Sequence, residues 1–160
     1  MPPADDTIFL CDTNLDFVRT ELHDFLAYWN DKRGLRQFPG RADIKPGELT
    51  PLLPWMHMHD VGESGAEYRI RLVGTILSNI FGKGDMRGQP LSILPPVVFD
   101  RVKQGIERVL EARAPIRTYA PHAALPGQDF QGIESCFAPL SHNGTDIDII
   151  IAVSILDKRK

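Results

Sequence analysis

Cysteine is nearly missing from this chain. Cys11 and Cys136 are the only two in 160 residues, and they lie far apart with no spacing that grips a metal or staples a small secreted scaffold. A reduced, cytoplasmic compartment with two unreactive thiols is the expectation. Long apolar runs are missing too. The longest, Ile149-Ile150-Ile151-Ala152-Val153, is strand-sized and far short of the roughly 20 residues a membrane helix needs. There is little excess of either charge. A formal net charge of -3 offers no broad surface for nucleic acid, and Lys158-Arg159-Lys160 is too short to supply one. The first residues, Met1-Pro2-Pro3-Ala4-Asp5-Asp6, are acidic where a secretory signal is basic. Catalytic signatures are also lacking: there is no Gly-x-Ser-x-Gly, phosphate loop, Cys-x-x-Cys or His-Glu-x-x-His. The expectation is therefore a protein that is not an enzyme. No kinase or cyclase output domain fits in 160 residues, so a signal would leave by contact with a separate protein.

What is present suits one soluble domain with a real core, at 42% hydrophobic and 24% charged residues. Its central stretch is Glu67-Tyr68-Arg69-Ile70-Arg71-Leu72-Val73-Gly74-Thr75. At period two, Tyr68, Ile70 and Leu72 fall on one side, and Glu67, Arg69, Arg71 and Val73 on the other. The strand then passes into a short helix over 76–81, which Gly82 is placed to stop.

Upstream, a helix is predicted from Thr13 or Asn14 to Lys32 or Arg33, closed by Gly34. Leu15, Val18, Leu22, Phe25 and Trp29 recur at alternating steps of three and four, a narrow seam that Leu26 widens. The seam either lies on the sheet of its own domain or also pairs with a second subunit; at about two and a half heptads it is too short to dimerise alone. Residues 34–54 are an ordered crossing, too rich in large apolar residues to be a floppy spacer. The chain thus divides into an N-terminal extension, 1–54, and a core, 55–157.

The core opens with a strand at Trp55–Val61, a turn at Gly62–Gly65, and the returning Tyr68 strand. After the short helix and a Gly-rich stretch comes a longer helix, 96–113, with Phe99, Val102, Ile106, Val109 and Leu110 on one face. Gly105 in that helix costs roughly 1 kcal/mol against alanine, which points to close packing. Three strands follow, at Pro115–Ala124, Phe130–Ser141 and Asp146–Leu156, the last two joined through Asn143-Gly144. The final strand is apolar on both faces and so is central and covered on both sides. The expected fold is α+β: a five-stranded antiparallel sheet with helices inserted after strand two, preceded by an amphipathic helix.

That order, together with Tyr28-Trp29, Pro39 and Arg41, Leu53-Pro54-Trp55, Tyr68–Thr75, and Phe81-Gly82 followed by Asp85 and Gly88, resembles the PAS domain superfamily. More narrowly it resembles a proteobacterial subfamily of compact, single-domain PAS proteins. The motifs cover roughly 25–95, and the strand pattern carries the likeness to 156. The resemblance implies a sensory or signalling module that holds a small ligand between the sheet and the inserted helices and dimerises through its N-terminal helix. It does not say which ligand, and the cofactor stays unknown. A haem version would favour a histidine within 76–113, and a flavin-photochemical version a cysteine there; that region has neither.

The candidate ligand residues are Arg71, Thr75, His57, Arg69, Tyr119 and Glu134. Arg69 and Arg71 share a strand face and could grip a carboxylate or phosphate, or else pair with Glu67, Glu134 or Asp148. Thr75 could reach a ligand from the strand-to-helix junction or simply cap the helix. Alternation puts His57 and His59 on one face and Met56 and Met58 on the other. Two imidazoles at i, i+2 could share a metal with a third ligand such as His122, but no spacing fixes one, and no metal site is assigned. Two rivals to the sensor remain: a ligand-free adaptor with a solid core, and a small lyase or isomerase using His57, His122 and Glu134.

Overall fold

The computed structural model describes residues 8–62, 68–127 and 131–157. Its centre is one antiparallel sheet built from β1 (Leu10–Asp12), β2 (Met56–Asp60), β3 (Arg69–Val73), β4 (Ile116–Ala120), β5 (Ile133–Leu140) and β6 (Ile149–Leu156), in the order β1-β4-β5-β6-β2-β3. Three helices accompany it: α1 (Thr20–Arg33), α2 (Thr75–Phe81) and α3 (Pro96–Ala112). The α+β layout is the expected one, with α2 and α3 inserted between β3 and β4.

The sheet has six strands rather than five. Leu10–Asp12 pairs with the outer edge of β4, Cys11 opposite Thr118, and covers backbone groups an edge strand leaves open. β4 itself ends at Ala120, just before Pro121, which has no N–H to extend the ladder. The last strand lies between β5 and β2 and is buried along its whole length. Its Ile149, Ile151, Val153 and Ile155 join a core with α1 on one face of the sheet. Its Ile150, Ala152 and Leu156 join a second core, under α3, on the other. Asn143-Gly144 lies in the hairpin connection before it, which runs over 141–148 and is longer than a tight Asn-Gly turn: Gly144 is left-handed at φ 82°, and the Asn143 side-chain oxygen accepts from the N–H groups of Thr145 and Asp146. The predicted turn over 62–65 lies largely outside the described residues, as does Glu67.

Helix α1 begins at Thr20, a full turn and a half later than the caps at Thr13 and Asn14 suggest. Arg19 stays extended, with φ -84° and ψ 126°, because the carboxylate of Glu134, on the α1 face of β5, takes the N–H groups of Val18 and Arg19. Of the predicted seam, Leu22, Phe25 and Trp29 face the sheet of their own chain and are buried. The Trp29 indole donates to the Pro139 carbonyl at 2.9 Å. Leu15 packs partly on the same core, ahead of the helix, while Val18 is 78% exposed. The crossing over 34–54 contributes Phe38, Ile44, Leu49 and Leu52 to that core.

The alternation assigned to β3 breaks at one point. Register shifts between Met58 and His59, so that Met58 pairs with Leu72 but His59 with Ile70, leaving Arg71 as the extra residue of a β-bulge. Ile70 therefore points to the α3 side and Leu72 to the α1 side, instead of sharing a face. Gly74 closes the strand with its backbone pressed on the carbonyls of Leu53 and Pro54, where any Cβ would collide.

Candidate functional site

Strand β2 sorts its side chains by alternation. Met56 and Met58 enter the α1 core, and His57 and His59 turn to the other face, beneath α2 and α3. There the imidazoles begin a row of hydrogen bonds that runs across the sheet. His57 Nδ1 lies 2.7 Å from His59 Nε2, and His57 Nε2 lies 2.8 Å from Ser154 Oγ on β6. Ser154 Oγ is in turn 2.7 Å from Ser135 Oγ on β5. Thr118 on β4 stands opposite Ser135 in the ladder. The side chains of all five are buried.

This row floors a cavity of about 70 Å³. Its walls are apolar: Leu77 and Phe81 of α2, Val98 and Val102 of α3, and Phe137 of β5. The Phe137 ring meets His57 edge-on at 5.5 Å and backs onto Gly105, where an added Cβ would stand 2.8 Å from the ring. The glycine in the middle of α3 thus makes room for the aromatic wall. Arg101 of α3 also lines the cavity; its Nη1 donates to the His122 carbonyl at 2.6 Å, and its guanidinium lies 5.7 Å from the Phe9 ring. Burial brings His57 down to about 4 and His59 well below the ordinary histidine range, His59 helped further by the neighbouring His57. Both rings are therefore neutral at pH 7.

A space of this size holds roughly five water-sized groups. What it can do chemically is take a small, mostly apolar body and offer a hydrogen bond from one side. Among the described residues, no group of three or more His, Cys, Asp and Glu is placed to hold a metal. Cys136 faces the α1 core, and burial pushes its thiol up, away from reactivity at neutral pH.

Of the six predicted ligand residues, only His57 lines this cavity. Arg71, displaced by the bulge, pairs with Asp60 at 3.1 Å in an exposed position. Arg69 donates to the Gly88 carbonyl. Thr75 opens α2 without a side-chain cap; Gly74 holds the cap position, and Thr75 borders a separate groove walled by Ile44, Leu53 and Met58. Tyr119 and Glu134 belong to the opposite face: Tyr119 points to Asp157, and Glu134 pairs with Arg117 at 2.6 Å and holds the start of α1. The partners that complete the row, Ser135 and Ser154, interrupt strands that are buried on both faces. A serine has no bland place in such a strand, and that interruption is the signal by which the sequence could have shown them.

Comparison with curated proteins and with solved structures finds no match. A family model described as PAS domain matches residues 18–153. The match takes in α1, strands β2 to β5, the larger part of β6 and the inserted helices over the cavity. On that span, and with an antiparallel sheet and inserted helices consistent with it, the chain belongs to the PAS domain family, a family of sensory and regulatory modules.

Proposed function

We propose that this PAS domain admits a small, largely apolar molecule to the chamber between its sheet and helices α2 and α3, and that it signals through α1 to a second subunit or a separate output protein. The observation that supports this reading is the row of buried polar groups, His57, Ser154, Ser135 and Thr118, along one wall of an otherwise apolar cavity. A core built only for solidity would fill that space with aliphatic side chains at no hydrogen-bonding cost.

Signal transfer would use β5. Ser135 and Phe137 face the chamber, and the next side chain along, Glu134, holds the N-terminus of α1 on the far side. A ligand that shifts β5 shifts the grip on α1, and a second ligand-dependent state follows only if it binds the two arrangements unequally. The outer face of α1, with exposed Val18 before it and Leu35 after it, is the surface a second copy would meet. Native mass spectrometry of the protein as purified tests the first half; a chamber that is always empty favours the adaptor reading. Hydrogen exchange in α1 tests the second: unchanged rates in a ligand-saturated sample would sink the coupling.

A further inference from the structure

The row of hydrogen bonds has a direction, and the direction specifies what the chamber binds. This step rests on reading the cavity as a ligand site. Each neutral imidazole carries one hydrogen. His59 Nδ1 is buried and has no hydrogen-bond partner among the described residues. Were it protonated, a buried N–H would be left without an acceptor, the rarer and costlier defect. The hydrogen of His59 therefore sits on Nε2 and is donated to His57 Nδ1, 2.7 Å away. His57 must then carry its own on Nε2 and donate it to Ser154 Oγ. Ser154, its oxygen accepting, turns its hydrogen to Ser135 Oγ. The hydroxyl hydrogen of Ser135 is what remains. It points into the chamber, which both Ser135 and Thr118 line. The row therefore ends in a donor at the cavity wall, and the Ser135 hydroxyl has no further partner among the described residues.

We propose that the chamber takes a short, neutral, largely apolar molecule bearing a carbonyl oxygen, which accepts the terminal hydrogen of the His59–His57–Ser154–Ser135 row. A hydrocarbon leaves that donor unanswered. An anion would have to leave water for walls that are almost wholly aliphatic and aromatic, beside a cation, Arg101, already engaged with the His122 carbonyl and the Phe9 ring.

Two measurements on the whole chain test this. Nitrogen-detected NMR of histidine-labelled protein, without ligand, reads the tautomers: both rings protonated on Nε2 is the expected result, and a hydrogen on His59 Nδ1 overturns the direction. Titration with pentan-2-one, pentane and pentanoate reads the chemistry. The ketone should bind roughly fivefold to tenfold more tightly than pentane, and Ser135→Ala should narrow that margin, because the row then ends one strand back, at Ser154. Equal binding of ketone and hydrocarbon, or tighter binding of pentanoate, overturns the carbonyl assignment but leaves the cavity a ligand site. No binding of any of the three overturns both.

Discussion

Glu134 of β5 holds Arg19, at the start of α1, on the face of the sheet that the two share. Its buried carboxylate accepts the Arg19 backbone N–H at 2.8 Å and the Val18 N–H at 3.0 and 3.1 Å, and so replaces the local cap that α1 lacks. Arg117, also largely buried, neutralises it at 2.6 Å. Replacing Glu134 with glutamine keeps the shape but strips the charge, leaving a buried guanidinium without its counter-ion. Breaking such a pair costs about 3 kcal/mol. Glu134→Gln should lose stability on that scale in urea unfolding and should speed amide exchange in the first turn of α1 before the rest of the helix. Wild-type exchange in that turn would contradict the cap.

The relationship also shows where the sequence stops being legible. Periodicity placed β2 to β6, α2 and α3 within a few residues, because burial on one or both faces imprints a period on every strand and helix. The start of α1 was not legible, since its cap comes from residue 134, more than a hundred positions away. Thr13 and Asn14 carry good capping chemistry, but nothing in the chain obliges the helix to use it. The bulge at Arg71 was hidden for a similar reason. One unpaired residue reverses the faces that follow, and only the register against β2 reveals it. The candidate site was legible in part. Met-His-Met-His alternation announces two inward imidazoles, while Ser154 comes from β6, which meets β2 only in three dimensions, and Ser135 from β5, one strand further on.

Gly105 and Phe137 give a second prediction. On helix propensity alone Gly105→Ala should gain roughly 1 kcal/mol. The new methyl, however, would stand 2.8 Å from the Phe137 ring, and overpacking of a filled core costs typically 1–3 kcal/mol. The clash should win, with a lower melting temperature, and the ring should move toward His57 and narrow the chamber. A variant as stable as wild type with unaltered ligand binding would show that the wall yields without cost.

Arg71 separates an ordinary surface contact from a ligand contact. It and Asp60 are each nearly half exposed, and exposed ion pairs contribute little, about 0 to 1 kcal/mol. Arg71→Ala should therefore change unfolding stability by about 0.5 kcal/mol or less and leave binding in the chamber untouched. A marked loss of affinity in that variant would put a ligand at the bulged edge of the sheet instead.

The buried histidines make stability depend on pH, with a definite sign. His57 is held at about 4 against the ordinary 6.5, and His59 is shifted in the same direction. In the unfolded chain both titrate normally, so below 6.5 the unfolded state binds protons that the folded state refuses. Their neutral burial is therefore harmless above that value, and stability falls as pH drops from 6.5 toward 4, by about 1.4 kcal/mol per unit for one such group. Denaturation midpoints taken between about pH 6.5 and 5, above the range where most carboxylates titrate, isolate the histidine share. His57→Asn should lower the slope there by close to one proton's worth, because asparagine keeps a polar side chain but cannot titrate. Identical slopes in wild type and variant would mean that His57 is protonated in the folded state, and the neutral row across the sheet would fall with it.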